Sequence, residues 1–172
     1  SHARRSTQTA MYIITDGLAR LLAPILPITA DDLWRHLPGT RAESVHLELF
    51  ADADPYLDPA LTATWERLLK VREEVNAALE QKRKDKTIGT SLSAKVVVTA
   101  GGSIGALLDE HRDQLPMLFI VSDLALRVDS TSGPDTLTVE VGKATGAKCE
   151  RCWRYVPAVR QEPEWAGICD RC

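Results

Sequence analysis

The sequence lacks long apolar runs and the common motifs of catalysis. No apolar run approaches the eighteen or more residues of a membrane span. It contains no phosphate-binding G-x-x-x-x-G-K-[ST], no G-x-G-x-x-G after a strand, and no Ser or Cys nucleophile motif. These absences argue against a membrane protein and against the enzyme classes that those motifs mark. They favour a binding and structural module. The apolar content of 44% is sufficient for a hydrophobic core.

The sequence also has little net charge, and that charge is distributed unevenly. The formal charge of −3 argues against a general nucleic-acid coat protein. Residues 1–86 carry twelve Lys and Arg against thirteen Asp and Glu, residues 87–142 three against seven, and residues 143–172 six against four. The acidic excess therefore lies in the middle of the chain, between two more basic parts.

Cysteine is scarce, and all four cysteines lie close to the C-terminus. Their spacing is C-x2-C-x16-C-x2-C, which falls within the window of a structural zinc site. Two such knuckles complete a closed tetrahedron around one Zn²⁺, so we expect one structural zinc per chain. Two disulfides are the alternative, but the absence of a recognisable signal peptide favours zinc. The predicted ligands are Cys149, Cys152, Cys169 and Cys172.

The four histidines do not extend this site, because they are scattered and lack metal-ligand spacing. We interpret all of them as surface or packing residues. They are His2, His36, His46 and His111.

The pattern of apolar residues predicts a helical bundle over residues 1–86. Apolar residues recur at helical spacing from Ala10 to Ile25, and Pro24 and Pro27 end this first helix. Thr29 is the expected N-cap of a second helix, which runs to Pro38. A longer helix is predicted from Pro59 to about Lys84. The predicted core includes Trp34 and Trp65, whereas the segment SVHLELF is either a strand or an extended linker.

The second and third parts of the chain do not continue the helical spacing of apolar residues that marks residues 1–86. Residues 87–142 predict a small α/β domain with strands in AKVVVTA, MLFIVSDLALRV and TLTVEV, a helix in SIGALLDEHRDQL, and a turn at residues 132–134. Residues 143–172 form the predicted zinc finger. The expected fold class is therefore α+β, with an N-terminal α-helical bundle, a small α/β region and a C-terminal zinc knuckle.

Several stretches resemble one family of enzymes. The segment RRSTQTAMYIITDGLARLLAPILPITADDLW resembles the first part of the helical anticodon-binding domain of class I aminoacyl-tRNA synthetases for aliphatic amino acids. The segments VREEVNAALEQKRKDKTIGTSLSAKV and KCERCWRY, closed by ICDRC, narrow the resemblance to the bacterial-type isoleucyl-tRNA synthetases. The resemblance covers essentially the whole chain.

This resemblance implies a definite role. The full enzyme is an isoleucine-tRNA ligase, which uses ATP and Mg²⁺ in a catalytic domain to join isoleucine to tRNA-Ile. The HIGH and KMSKS signatures of that domain and the inserted editing domain are absent here. The chain begins at Ser1 rather than Met, so we expect a non-catalytic, C-terminal part of a longer, monomeric, cytoplasmic protein. Its expected partners are the tRNA-Ile anticodon stem-loop and the catalytic body of the same polypeptide, with no membrane.

The candidate tRNA contacts are cationic or aromatic residues in the matched stretches. Phosphates require cations, and unpaired anticodon bases can stack on aromatic rings. No catalytic residue is expected. The candidates are Arg4, Arg5, Lys82, Arg83, Lys84, Lys148, Arg151, Trp153 and Arg154, with Lys86 beside the helix-end group.

These candidates also have simpler interpretations. The basic residues at the end of the long helix complement its dipole. The basic residues of the finger offset the two net negative charges of a four-thiolate zinc site, and we favour packing over the knuckle as the role of Trp153. Arg160 stands where the family usually has glycine, so we expect a different bend in the loop and an additional cation.

Two other functions remain open on the sequence. Formamidopyrimidine-type DNA glycosylases end in a very similar four-cysteine finger, but they depend on an N-terminal Pro-Glu, and this chain begins Ser-His-Ala. Their finger also follows a helix-two-turn-helix module. A free-standing zinc interaction module is the third possibility and is consistent with the acidic middle.

Overall fold

The structure, a computed structural model, describes residues 2–129 and 134–172, except for the side chain of Ala3. It groups them into two compact units, Ser1–Asp58 and Pro59–Cys172. The three-part division at residues 86 and 142 stays a prediction. Most of the turn predicted at residues 132–134 lies outside the described residues. In the described part of the chain, no helix combines the length and apolar character that crossing a membrane requires.

The first unit contains two helices followed by irregular chain. Helix α1 is His2–Leu22 and helix α2 is Pro27–His36. Helix α2 begins at a proline, whose missing N–H would have no partner in the first turn anyway. The prediction that Thr29 is the N-cap was therefore wrong, since Thr29 lies inside the helix and Leu26 occupies the cap position.

The segment SVHLELF is not a strand. Val45–Leu47 form a 3₁₀ turn, and Ser44 caps it by accepting a hydrogen bond from the His46 N–H. The Ser44 hydroxyl and the Val45 N–H both donate to Oδ1 of Asp31, at 2.6 and 3.2 Å. These hydrogen bonds hold the pKa of Asp31 below its ordinary value.

Trp34 is the centre of the first unit, as predicted, with 1% of its surface exposed. Its indole N–H donates to the Ala42 carbonyl at 3.0 Å. The guanidinium groups of Arg20 and Arg41 lie 5.1 and 4.5 Å from the ring centroid, within the range of cation–π attraction. Both arginines also pair with Asp16, at 2.9 and 2.7 Å. Partial burial raises the pKa of Asp16, but the two arginines outweigh it and lower the pKa overall.

The second unit packs a long helix against a three-stranded sheet. The sheet order is β2-β1-β3, with β2 parallel and β3 antiparallel to β1. A second pair of strands, β4 and β5, forms a small antiparallel hairpin. The elements are α3 (Pro59–Lys84), β1 (Ala94–Gly101), α4 (Gly102–Glu110), α5 (Leu115–Leu118), β2 (Asp123–Asp129), β3 (Thr136–Lys143), β4 (Ala147–Lys148) and β5 (Tyr155–Val156).

Helix α3 supplies one side of the core of this unit. It begins and ends where the sequence predicts, and its buried stripe repeats at three and four residues. The stripe joins a cluster with alternate residues of β1, such as Val96 and Val98. Trp65 is 41% exposed, so the prediction that it belongs to the core was wrong. The stripe consists of Leu68, Val71, Val75 and Leu79.

The segment MLFIVSDLALRV is a strand only in its second half. Leu115–Leu118 form a helical turn with a proline in its first turn, and strand β2 begins at Asp123. Leu115 and Phe119 are buried four residues apart, which is the spacing of one helix face. The apolar run therefore reaches the core first by a helical turn and then by a strand.

The start of α4 is capped by a carboxylate from a distant part of the chain. Asp135 accepts hydrogen bonds from the Ile104 N–H at 3.1 Å and the Ser103 hydroxyl at 3.0 Å. These bonds lower the pKa of Asp135. The glycine-rich turn between β1 and α4 therefore already holds an anionic group, supplied by the chain itself.

Substitution of Trp34 by alanine is expected to destabilise the first unit strongly. Removal of a fully buried indole typically lowers the free energy of unfolding by about 3–5 kcal/mol. Here it also removes the cation–π contacts of two arginines with the ring. Urea unfolding followed by circular dichroism measures the change. The matched control, Trp65→Ala, removes a ring that is 41% exposed and is expected to cost about 1 kcal/mol or less. Equal losses for the two variants would contradict this assignment of the core.

Candidate metal centre and nucleic-acid interface

The four predicted ligands converge on one point. The sulfur atoms of the four cysteines all lie within 4.8 Å of one another, and all four thiols are free. Cys152 Sγ and Cys169 Sγ are 3.8 Å apart. A tetrahedral ion with metal–sulfur bonds of about 2.3 Å would place its ligands about 3.8 Å apart. The geometry therefore fits a metal ion with four thiolate ligands.

Backbone hydrogen bonds shape both knuckles around this point. In the first, the Trp153 N–H donates to the Cys149 carbonyl, and the Cys149 N–H donates to the Arg154 carbonyl, both at 2.9 Å. In the second, the Cys172 N–H donates to the Cys169 carbonyl at 2.9 Å. Each C-x-x-C pair is thus folded into a tight turn that directs its two sulfurs to the same side.

The sulfur atoms differ in how readily they ionise. Backbone N–H groups of Cys152 and Cys169 donate to the Cys149 sulfur and lower the pKa of that thiol to about 6. Burial, together with hydrogen bonding to the neighbouring sulfurs, raises the pKa of Cys172 to about 12. Burial therefore opposes ionisation of Cys172, while backbone hydrogen bonds favour the Cys149 thiolate. A bound dication would remove that conflict.

Glycine is required in the hairpin that carries the first knuckle. Gly146 has φ of +105°, and a Cβ built there would lie 2.2 Å from the Val156 carbonyl oxygen. The hairpin pairs Lys148 with Tyr155, which places Cys149 directly after the last pair. The position of the first ligand thus depends on a turn that only glycine can make.

Two arginines of the finger hold the fold together. Arg151 donates to the Cys172 carbonyl at 2.8 Å and so ties the last residue to the first knuckle. Arg154 donates to the Pro116 carbonyl at 3.3 Å. Arg160, which we expected to be an additional cation, pairs with Asp170 at 3.2 Å. Its main chain is also fixed, since it exchanges hydrogen bonds with Ile168 and Gly167.

Trp153 is presented to solvent. Its side chain is 61% exposed, so the interpretation that it packs over the knuckle was wrong. The indole N–H donates to the Glu150 carbonyl at 3.1 Å, and Lys148 Nζ lies 5.7 Å from the ring centroid. An exposed, oriented ring beside a cation has the chemistry that stacks on an unpaired base.

The basic group at the end of α3 divides into two kinds of residue. Arg83 pairs with Glu80 and donates to the Ser91 hydroxyl at 3.1 Å. Within residues 2–129 and 134–172, Lys95 is the one lysine with a carboxylate partner, Asp123 at 2.9 Å. Lys82 and Lys84 therefore keep their charge available for a ligand.

Arg4 and Arg5 lie in the first unit, in the first turn of α1. Both side chains are exposed. The other seven candidate contacts lie in the second unit.

The structure also brings together residues that the sequence did not single out. Lys143, Ile120 and Tyr155 line one cleft together with Lys86 and Trp153. These residues come from the end of α3, the end of α5, the end of β3 and the finger. No local sequence pattern joins these residues, because they are spread over the chain, and Lys86 and Tyr155 are 69 positions apart.

Comparison with known proteins identifies relatives over the whole chain. Residues 1–98 match the anticodon-binding domain of tRNA ligase. The chain is 46% identical to an isoleucine–tRNA ligase of Syntrophotalea carbinolica, 43% to that of Symbiobacterium thermophilum and 42% to that of Carboxydothermus hydrogenoformans, and each match covers 100% of the chain. The chain spans 19–20% of the length of these relatives.

Substitution of Gly146 by alanine is expected to disturb the metal centre. The added methyl group collides with the Val156 carbonyl, and a left-handed φ disfavours alanine, for a cost of more than about 1 kcal/mol. Metal retention during dialysis against a chelator measures the effect. The matched control is Gly142→Ala, where nothing lies within 4 Å of the added atom. Equal metal retention by the two variants would show that the hairpin does not position Cys149.

Proposed function

The chain belongs to the anticodon-binding domain family of tRNA ligases, and we propose on that premise that it recognises the anticodon stem-loop of an isoleucine tRNA. The observation that carries this proposal is the similarity of the whole chain to isoleucine–tRNA ligases, at 42–46% identity for three of them. The match includes the finger as well as the helical part. The similarity therefore reaches the parts of the chain that carry the exposed cations and Trp153.

The activity of the longer relatives extends this proposal. We propose that the chain acts as part of an isoleucine–tRNA ligase, which joins isoleucine to its tRNA with ATP and Mg²⁺ in a catalytic body outside residues 1–172. The described residues would contribute recognition rather than chemistry. We further propose that this protein is monomeric and cytoplasmic.

The metal proposed for the four cysteines is zinc in a structural role. Four thiolates suit Zn²⁺, and a site closed by four protein ligands leaves no position for water or substrate. The convergence of the four sulfurs supports this assignment. The ion would neutralise the thiolates and hold the two knuckles together, so that Trp153 and Lys148 keep a fixed position.

The proposed RNA interface consists of the nine residues predicted from the sequence. Lys82, Lys84 and Lys148 suit phosphate contacts, because no carboxylate in the described residues pairs with them. Arg83, Arg151 and Arg154 would contribute positive potential while their hydrogen bonds hold the surface in shape. Trp153 would stack on an unpaired base. Arg4 and Arg5 would contact the RNA from the first unit.

The DNA glycosylase alternative receives no support from the fold. Its finger should follow a helix-two-turn-helix module. Here the finger follows strand β3, the antiparallel edge of a three-stranded sheet.

The chain is expected to bind an anticodon stem-loop of isoleucine tRNA more tightly than duplex DNA that carries a damaged base. Arg4→Glu with Arg5→Glu should weaken binding and reduce the salt dependence, because two phosphate contacts are lost. The helix should tolerate both changes, since both side chains are exposed and glutamate is a good helix former. Filter binding or fluorescence anisotropy at several salt concentrations measures both quantities.

The double exchange Lys70→Glu with Arg127→Glu serves as a control with the same change in charge at exposed sites outside the proposed interface. Preference for the duplex would overturn the tRNA proposal. Equal affinity and salt dependence of the Arg4/Arg5 variant and the wild type would remove these two residues from the interface.

Elemental analysis of the purified chain is expected to find about one zinc ion per molecule. Cys149→Ser should release the metal and unfold the finger, while the far-ultraviolet circular dichroism of the helices stays largely intact. Metal binding and local folding are coupled only where the ligands lie.

Ser91→Ala is the matched control, because it removes a similar polar atom in the same unit without touching a ligand. Two outcomes would contradict the assignment. One is a metal-free chain with an ordered finger, and the other is collapse of the helical signal in Cys149→Ser.

A further inference from the structure

Three residues other than glycine have a left-handed backbone in the described part of the chain. They are Lys86, Ile120 and Trp153, with φ of 58°, 56° and 63°. This conformation is uncommon for any L side chain and is a true outlier for a β-branched residue such as isoleucine. Backbone strain of this kind concentrates at functional sites. All three residues line the same cleft in the second unit.

Two of these positions are helix ends at which glycine is the usual residue. After α3, the Thr87 N–H donates to the Lys82 carbonyl and the Lys86 N–H to the Arg83 carbonyl, both at 3.0 Å. This pair of bonds is the Schellman motif, with Lys86 at its left-handed position.

The same pair of bonds follows α5. The Val121 N–H donates to the Pro116 carbonyl at 3.2 Å and the Ile120 N–H to the Met117 carbonyl at 3.3 Å. Ile120 occupies the left-handed position here. In both motifs a glycine at the left-handed position would make the same hydrogen bonds with less backbone strain.

Packing does not explain why large side chains occupy these positions. Ile120 is 50% exposed and Trp153 is 61% exposed. Lys86 is also exposed and has no carboxylate partner among the described residues. Each position therefore carries a side chain that strains the backbone and gains little burial in return.

The cleft has the chemistry of a nucleotide site. Its volume is about 630 Å³, which lies within the range typical of small-ligand pockets. Lys86, Lys143 and Lys148 place three ammonium groups along it, and the Trp153 ring and the Ile120 side chain supply apolar surface. Phosphate needs the first kind of group and a base needs the second.

Ser122 connects the two sides of the cleft. Its hydroxyl donates to the Leu92 carbonyl at 2.5 Å and accepts from the Tyr155 N–H at 2.7 Å. Leu92 belongs to the loop after α3, and Tyr155 belongs to the finger. Both residues line the cleft, so its width is set by hydrogen bonds within the protein before any ligand arrives.

We propose that this cleft holds one unpaired nucleotide of the bound RNA, with its phosphate on Lys86, Lys143 and Lys148 and its base against Trp153 and Ile120. The proposal rests on the proposed function, since it names the part of the chain at which one nucleotide of the anticodon loop is held. It adds Lys86, Lys143 and Ile120 to the interface. It also explains why strained residues meet there.

Glycine substitutions separate a binding role from a structural one. Lys86→Gly and Trp153→Gly relieve backbone strain, so the thermal midpoint should stay unchanged or rise, and metal content should stay unchanged. Affinity for the isoleucine anticodon stem-loop should fall about tenfold in Trp153→Gly through lost stacking. Lys86→Gly should reduce the salt slope by about 0.7, as expected for one contact to single-stranded RNA. Trp153→Phe keeps a ring and should retain most of the affinity.

The matched control is Lys70→Ala, which removes the same charge from within α3. Lys70 lies fourteen residues before Lys84, the last residue of α3, which is about 21 Å along the helix. Its affinity and salt slope should equal those of the wild type.

Stem-loops that lack a single base test whether one nucleotide is held. For the RNA that lacks the base against Trp153, wild type and Trp153→Gly should bind equally. For each RNA that lacks a different base, the affinity of Trp153→Gly should remain about tenfold lower than that of the wild type.

Three outcomes would overturn the cleft proposal while the wild type still binds the stem-loop. The first is a lowered thermal midpoint in the glycine variants, and the second is unchanged affinity of those variants for the stem-loop. The third is a tenfold loss of affinity in Trp153→Gly for every one of the RNAs that lack a base. Failure of the wild type to bind the stem-loop would instead overturn the proposed function, and the cleft proposal with it.

Discussion

The packing of α3 against the three-stranded sheet is the contact on which the second unit depends. The buried stripe of α3 and alternate residues of β1 share one apolar core, with four side chains of the helix exposed by 2% or less. This contact fixes the C-terminal end of α3 beside the beginning of the sheet. The loop between them is then held in place, and through Ser122 so is the finger. An apolar contact thus positions a surface that is itself polar and basic.

The finger must satisfy two electrostatic demands with few residues. Four thiolates within 4.8 Å of one another would repel, and burial already raises the pKa of Cys172. A metal ion would meet the first demand. The second is to leave positive charge at the surface. Arg151 and Arg154 donate hydrogen bonds that hold the fold, whereas Lys148 is exposed and has no carboxylate partner among the described residues.

Stability and binding make opposite demands at the cleft. Lys86, Ile120 and Trp153 occupy backbone positions that glycine would fill with less strain. A protein selected for stability alone would place glycine there, as the chain does at Gly146, where a Cβ would collide with the backbone. The first unit shows the contrasting arrangement. There, Trp34 is buried between two arginines, and its ring serves the core alone.

Spacing within short segments identified the cluster of four cysteines, the extent of α3 and the strands β1 and β3. These features depend on spacing within a short segment, and such spacing is visible in one dimension. Predictions from the sequence failed at Thr29, Trp65 and the first half of MLFIVSDLALRV, where a helix start or the burial of a side chain depends on what packs against it. Three features became visible only in the folded chain: Trp153 is exposed, Arg151 and Arg154 are held by hydrogen bonds to the protein, and Lys86, Ile120 and Trp153 meet in one cleft. Exposure, charge pairing and convergence depend on distances between residues that are far apart in the chain, and those distances arise only when the chain folds.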